Sequence, residues 1–105
     1  MHFAEMKDAH DPGDLMGPVA TQEVDPGYPL ELMRQNVRGT VTLSAVIHTD
    51  GSVTDVRIIR GIDDRLDQYA SAALARWRFR PATRNGAPVP LQAIVIIPFR
   101  PRSGF

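Results

Sequence analysis

The chain has 105 residues, no cysteine and a formal net charge of zero. That length supports one modest core, since domains usually run to about 100–150 residues, and the core must rest on packing without a disulfide or a thiolate metal site. No apolar run approaches the ~18 residues a membrane helix requires, and Met1–Ala20 is too polar for a signal-peptide segment, so the chain as given reads as soluble, without direct membrane insertion.

The zero net charge conceals a division. Residues 1–33 carry seven acids against Lys7 alone, whereas residues 34–105 carry eleven arginines against five acids. From position 76 onward Arg76, Arg78, Arg80, Arg84, Arg100 and Arg102 face no acid. The asymmetry admits two readings: a site for an anionic partner, or an acidic leader folded back over the basic stretch.

Residues 1–27 show neither a helical nor a strand period and are punctuated by Pro12-Gly13, Gly17-Pro18 and Pro26-Gly27, which predicts a flexible leader or linker remnant. Tyr28-Pro29 is extended, because proline disfavours the helical region for the residue before it. Pro29 suits the first turn of a short helix from Leu30 that ends near Asn36, with Leu30 and Met33 on one face. Gly39 precedes the clearest strand, with Val41, Leu43, Ala45 and Ile47 on one side and Thr40, Thr42, Ser44, Val46 and His48 on the other. One side is expected to cover a core and the polar side to face water. Asp50-Gly51 turns the chain into a second strand, Val53–Arg60, with Val56 and Ile58 alternating with Arg57 and Ile59.

A helical period begins after Gly61. Asp63 or Asp64 can cap it, and Leu66, Ala70, Ala73, Leu74 and Trp77 recur at spacings of three and four. Its alanines allow close approach to the sheet, while Trp77 and Phe79 supply bulk. Pro81 stops the helix or forces Arg80 to be extended. Asn85-Gly86 is a turn, and Pro88 and Pro90 lead into the last strand, Leu91–Phe99. There Leu91, Ala93, Val95, Ile97 and Phe99 alternate with Gln92, Ile94, Ile96 and Pro98, so both faces are apolar in the middle. Pro98 cannot donate to a neighbour, which predicts an edge strand suited to a partner strand. The expected architecture is α+β in two layers: a three-stranded antiparallel sheet with a long helix and a short N-terminal helix on one face, in the order α-β-β-α-β.

Catalytic groupings do not assemble, and the chain reads as a non-enzyme. His48 beside Asp50 or Asp55 sits at the end of a solvent-side register; Ser44 has no flanking glycines or strand-to-helix elbow to expose it. Asp63, Asp64 and Asp67 suit the first turn of a helix without any catalytic role. His2, Asp8, His10 and Asp11 offer metal-ligand types with no recognised spacing, and Gly51 and Gly61 open no phosphate-binding pattern, so no metal or other cofactor is implied. Arg76, Arg78 and Arg80 interleaved with Trp77 and Phe79 resemble a nucleic-acid patch in composition, but Trp77 continues the apolar helix face; no nucleic-acid partner is expected.

Tyr28-Pro29, Gly39-Thr40-Val41, Asp50-Gly51-Ser52-Val53, Asp55-Val56, the Leu66-to-Leu74 helix containing Ala73, Arg76-Trp77-Arg78-Phe79-Arg80-Pro81-Ala82, Gly86 and Pro98-Phe99 occur in one order. That combination resembles the C-terminal domain family of TonB-type energy transducers and spans residues 28–99, leaving a leader at 1–27 and a tail at 100–105. The resemblance implies a periplasmic protein–protein interaction module for TonB-dependent import through the outer membrane. It further implies anchoring to the inner membrane and contact with a motor complex only through a longer parent. Its partner would be a short segment of an outer-membrane receptor, added antiparallel along Leu91, Gln92, Ala93, Ile94, Val95, Ile96, Ile97 and Phe99, with Pro26, Gly27 and Tyr28 nearby. The alternative it allows is a stand-alone structural or adaptor domain that forms a homodimer through the last strand.

Overall fold

The computed structural model describes residues 14–101 in full and residues 2–6 as backbone. In chain order the elements are β1 (His2–Met6), β2 (Leu15–Met16), β3 (Val19–Gln22), α1 (Leu30–Arg34), β4 (Gly39–Ile47), β5 (Val53–Arg60), α2 (Asp64–Ala75), β6 (Arg78–Arg80), β7 (Ala82–Arg84), β8 (Ala87–Val89) and β9 (Leu91–Phe99). The fold is α+β, as the periodicities require. The main sheet, however, has four strands rather than three, in the order β1-β9-β4-β5, with every neighbouring pair antiparallel. Two small sheets, β2-β7-β8 and β3-β6, complete it.

Half of the extra strands come from the leader. Segments β1, β2 and β3 lie in the stretch expected to lack regular structure, and each pairs with a strand far along the chain: β9, β7 and β6 respectively. Two- to five-residue strands carry too few residues to display a period. Their conformation is set by the ladder that receives them. The acidic leader therefore lies along the arginine-bearing segment 78–84, held by backbone pairing, by the Thr21 hydroxyl donating to the Arg78 carbonyl at 3.1 Å, and by the Asn85 N–H donating to the Asp14 carbonyl at 3.2 Å.

The core lies between the sheet and the helices. Val41, Leu43, Ala45 and Ile47 of β4 and Leu91, Ala93, Val95, Ile97 and Phe99 of β9 are buried beside Leu66, Ala70 and Leu74 of α2 and Leu32 of α1. Trp77 is fully buried, its indole N–H donating to the Val24 carbonyl at 3.0 Å, so its ring is unavailable for stacking on a base. Phe79 lies at 6.0 Å from it, ring centre to ring centre, but in β6 rather than on the helix, which ends at Ala75.

Helix ends follow their sequence signals. At the N-terminus of α2, extended Asp63 accepts from the N–H of Arg65, relieving one of the unpaired donors of the first turn. At the C-terminus of α1, Asn36 adopts φ 59°, and the N–H groups of Asn36 and Val37 reach back to the carbonyls of Met33 and Leu32 at 2.9 Å each. This is a Schellman closure, with Val37 and Leu32 joined in the core. It turns Leu32 inward and leaves Leu30 exposed, so the face expected from Leu30 and Met33 is not the buried one.

Both predicted turns form. The β4–β5 loop closes with the His48 N–H donating to the Ser52 carbonyl and Gly51 at φ 86°, a three-residue loop. The β7–β8 hairpin turns on Asn85 (φ 52°) and Gly86 (φ 83°), the paired positive angles of a type I′ turn.

Candidate functional site

Of the main sheet's strands, β9 has the longest regular ladder. It pairs with β4 over all nine residues, from Leu91 opposite Ile47 to Phe99 opposite Gly39, with no break in register. Its core-side residues Leu91, Ala93, Val95, Ile97 and Phe99 are buried; on the outer face Gln92 is exposed, Ile96 and Pro98 are half-buried, and Ile94 is only 9% exposed. The side of β9 away from β4 meets β1, with His2 opposite Ile96, Phe3 opposite Val95, Glu5 opposite Ile94 and Met6 opposite Ala93. One leader residue is extra between Phe3 and Glu5, a bulge in an otherwise antiparallel ladder.

The opposite edge of the sheet is built differently. Strand β5 is out of step with β4 twice: an extra residue lies between Thr54 and Arg57, and another between Ile58 and Arg60. Asp55 adopts φ 54° at the first irregularity, a conformation that aspartate tolerates better than most side chains. Bulges of this kind and edge charges such as Arg57 and Arg60, both exposed, oppose the addition of a further strand.

Tyr28 touches the end of β9. Its ring meets that of Phe99 edge-on at 5.3 Å and 88°, and its hydroxyl donates to the Val37 carbonyl at 2.8 Å. Gly27 instead lies against the ring of Tyr69 on α2, and Pro26 is half-buried just before it. Among the other motif residues, Pro29 caps α1, Gly39 opens β4 opposite Phe99, Val41 and Leu66 are fully buried, Ala73 is buried on α2, Val56 is packed against the core and Pro81 is half-buried between β6 and β7. Gly51 joins the hairpin tip to β6: its carbonyl accepts from the Phe79 N–H at 3.0 Å. Asp50 accepts from both the hydroxyl and the N–H of Ser52, and these bonds hold its carboxyl below the usual carboxylate range.

The outer face of the sheet is less wet than its polar residues suggest. Ser44 is 6% exposed, while Thr40, Thr42 and His48 are half-buried. Ser44 stands between Arg57 and Ile94 in register, and short side chains on a central strand are covered by longer ones on both sides. Nor do the polar groups form a reactive arrangement. His48 Nε2 meets the Thr54 hydroxyl at 2.5 Å and that hydroxyl donates to Asp55 at 3.2 Å, an exposed chain of bonds spanning the bulge. Asp63 is held by its bonds to the Arg65 side chain and N–H, which lower its pKa to about 2, and Asp67 accepts from the Ile62 N–H at 3.0 Å. These acids serve the start of α2. Among the described residues no group of three or more histidines and acids is placed to hold a metal; Asp8, His10 and Asp11 lie outside the described residues, as does the side chain of His2.

Sequence reasoning placed Leu91–Phe99 at an edge, whereas β9 is an inner strand, paired with β1 over Ala93–Ile96 as well as with β4. The only signal at His2–Met6 is apolar Phe3 and Met6 separated by Ala4 and Glu5, too short to separate from chance.

The family model described as Gram-negative bacterial TonB protein C-terminal matches residues 24–101. Protein TonB of Pseudomonas aeruginosa is 29% identical over 76 residues, covering 71% of this chain and 22% of that protein. Protein TonB of Xanthomonas campestris pv. campestris is 36% identical over 62 residues, covering 58% and 28% respectively. The chain thus spans about a quarter of the length of these curated relatives. In fold it is similar to the solution NMR structure of the Pseudomonas aeruginosa TonB C-terminal domain, with a TM-score of 0.69 at 23% identity, covering 97% of this chain and 100% of that one. With the match running through both helices and the whole of β4, β5 and β9, the chain belongs to the family of Gram-negative bacterial TonB protein C-terminal domains.

Proposed function

We propose that this domain is a non-enzymatic, periplasmic docking module that binds a short extended segment of an outer-membrane receptor by strand addition to β9. The observation that carries the reading is the contrast between the two long strands that flank β4: β9, covered on its far side only by the short, bulged β1, and the edge strand β5. Strand β9 is apolar and in unbroken register with β4, and its side away from β4 has the backbone geometry to take an antiparallel strand. Strand β5 is bulged twice and carries exposed arginines. In strand addition the ladder's backbone bonds supply affinity and side-chain positions at alternate residues supply choice. Tyr28, packed on Phe99, would border the bound segment at one end, with Gly27 and Pro26 leading to it. Contact with an inner-membrane motor would come through the rest of a longer parent, in keeping with the small share of the relatives that this chain spans.

The test is a titration of the isotope-labelled chain with receptor-derived peptides, following backbone amides. Saturable shifts concentrated in Leu91–Phe99 are expected. Saturable binding that leaves those amides unmoved would contradict the mode. The same edge fits the β9 of a second copy, so molecular mass is followed across dilution; a stable dimer indifferent to peptide would replace docking with assembly.

A further inference from the structure

We infer that the leader strand β1 is an internal competitor for the β9 edge, displaced when a better-matched strand arrives. The inference rests on the docking reading above and adds a regulatory element and a pattern for the partner. Its first support is position. Strand β1 lies antiparallel along Ala93–Ile96, on the side of β9 not used by β4, so an added peptide and β1 cannot both hold the middle of this strand.

The second support is the quality of the fit. Four pairs interrupted by a bulge engage less than half of a strand that pairs with β4 at nine positions. Each ladder hydrogen bond exchanges with bonds to water and adds little net stability, so a short, interrupted ladder is held weakly and relies on its covalent tether. A tether of this kind acts as a local concentration of roughly millimolar order, enough to cover the edge and not enough to seal it. A regular strand of seven or more residues gains additional bonds and wins.

The register also specifies the competitor. Apolar Phe3 and Met6 take positions opposite core-side Val95 and Ala93, while polar His2 and Glu5 stand opposite outer-face Ile96 and Ile94. The bulge puts the two apolar residues three apart; a partner without a bulge would carry them two apart. The partner class is therefore an extended peptide with apolar residues at alternate positions and polar residues between them.

The experiment compares the full chain with its F3P/E5P variant, in which prolines interrupt the β1 ladder without substituting any residue of β4, β5, α2 or β9. Two readouts are taken: amide exchange at Ala93–Ile96 in the free protein, and affinity for a lysine-tagged seven-residue peptide alternating Val and Thr. The variant is expected to lose protection at alternate amides of Ala93–Ile96 and to bind the peptide at least about threefold tighter, since a competent fraction below one scales the apparent affinity directly. Equal exchange in the two chains, or equal affinity with shifts at β9 in both, would overturn the competitor and leave docking intact. Peptide that moves β9 in neither chain would overturn docking, whereas the exchange comparison would still judge whether β1 covers the edge.

Discussion

Gly51 meets two demands at once. Its φ of 86° is in the region that costs other residues about 1–2 kcal/mol, and a Cβ there would overlap the Phe79 carbonyl oxygen, which is backbone and cannot swing aside. Gly51→Ala is therefore expected to lower stability by about 2 kcal/mol or more in urea unfolding with an unchanged slope, and a loss under about 0.5 kcal/mol would contradict this. Trp77 couples the leader to the core through its bond to Val24, and Trp77→Phe removes both the bond and buried volume. An expected cost of about 1–3 kcal/mol follows. The cap residue Asp63 gives a pH signature. Its pKa falls from 3.8 to about 2 on folding, so its contribution is present in full above the unfolded value and is lost as pH drops through about 2. The stability profile of Asp63→Asn should be flatter than that of the parent between about pH 4 and pH 2, with Asp50 accounting for part of the slope that remains.

At the level of elements, legibility tracked length and local chemistry. The strands β4 and β9 and the helix α2 are readable because each repeats its period several times, β5 because it follows a turn signal and is rich in Val and Ile, and the turns at Asp50-Gly51 and Asn85-Gly86 because their residues tolerate positive φ. The buried residue of α1, Leu32, is not legible in the sequence, since five residues give a period no statistical weight. The bulges that blunt the β5 edge leave no mark in an apolar/polar pattern; they emerge only from pairing with β4. Strand addition makes an element-scale prediction of its own. In a bound peptide, N-methylation of the amides that face β9 should each weaken binding by up to about tenfold, and methylation of the alternate set should have little effect. Uniform sensitivity along the peptide would argue against a ladder.

Across the whole molecule, the first third of the chain pairs by its backbone with the arginine-bearing segment 78–84, through strands that themselves carry no acid. Segments 15–16 and 19–22 run along 83–84 and 78–80, so the leader folds back over the arginine-bearing stretch instead of leaving it bare. No sequence period could have signalled this, because these ladders join residues some sixty positions apart. The same long-range pairing puts β1 against β9, on the side proposed above for a partner strand. Direction of binding tests that account most directly. A receptor-derived peptide carrying a spin label at its N-terminus is predicted to broaden the amides of Ile97 and Phe99, and the same label at its C-terminus those of Leu91 and Gln92. Broadening along β5, or the reverse polarity on β9, would contradict antiparallel addition at this edge.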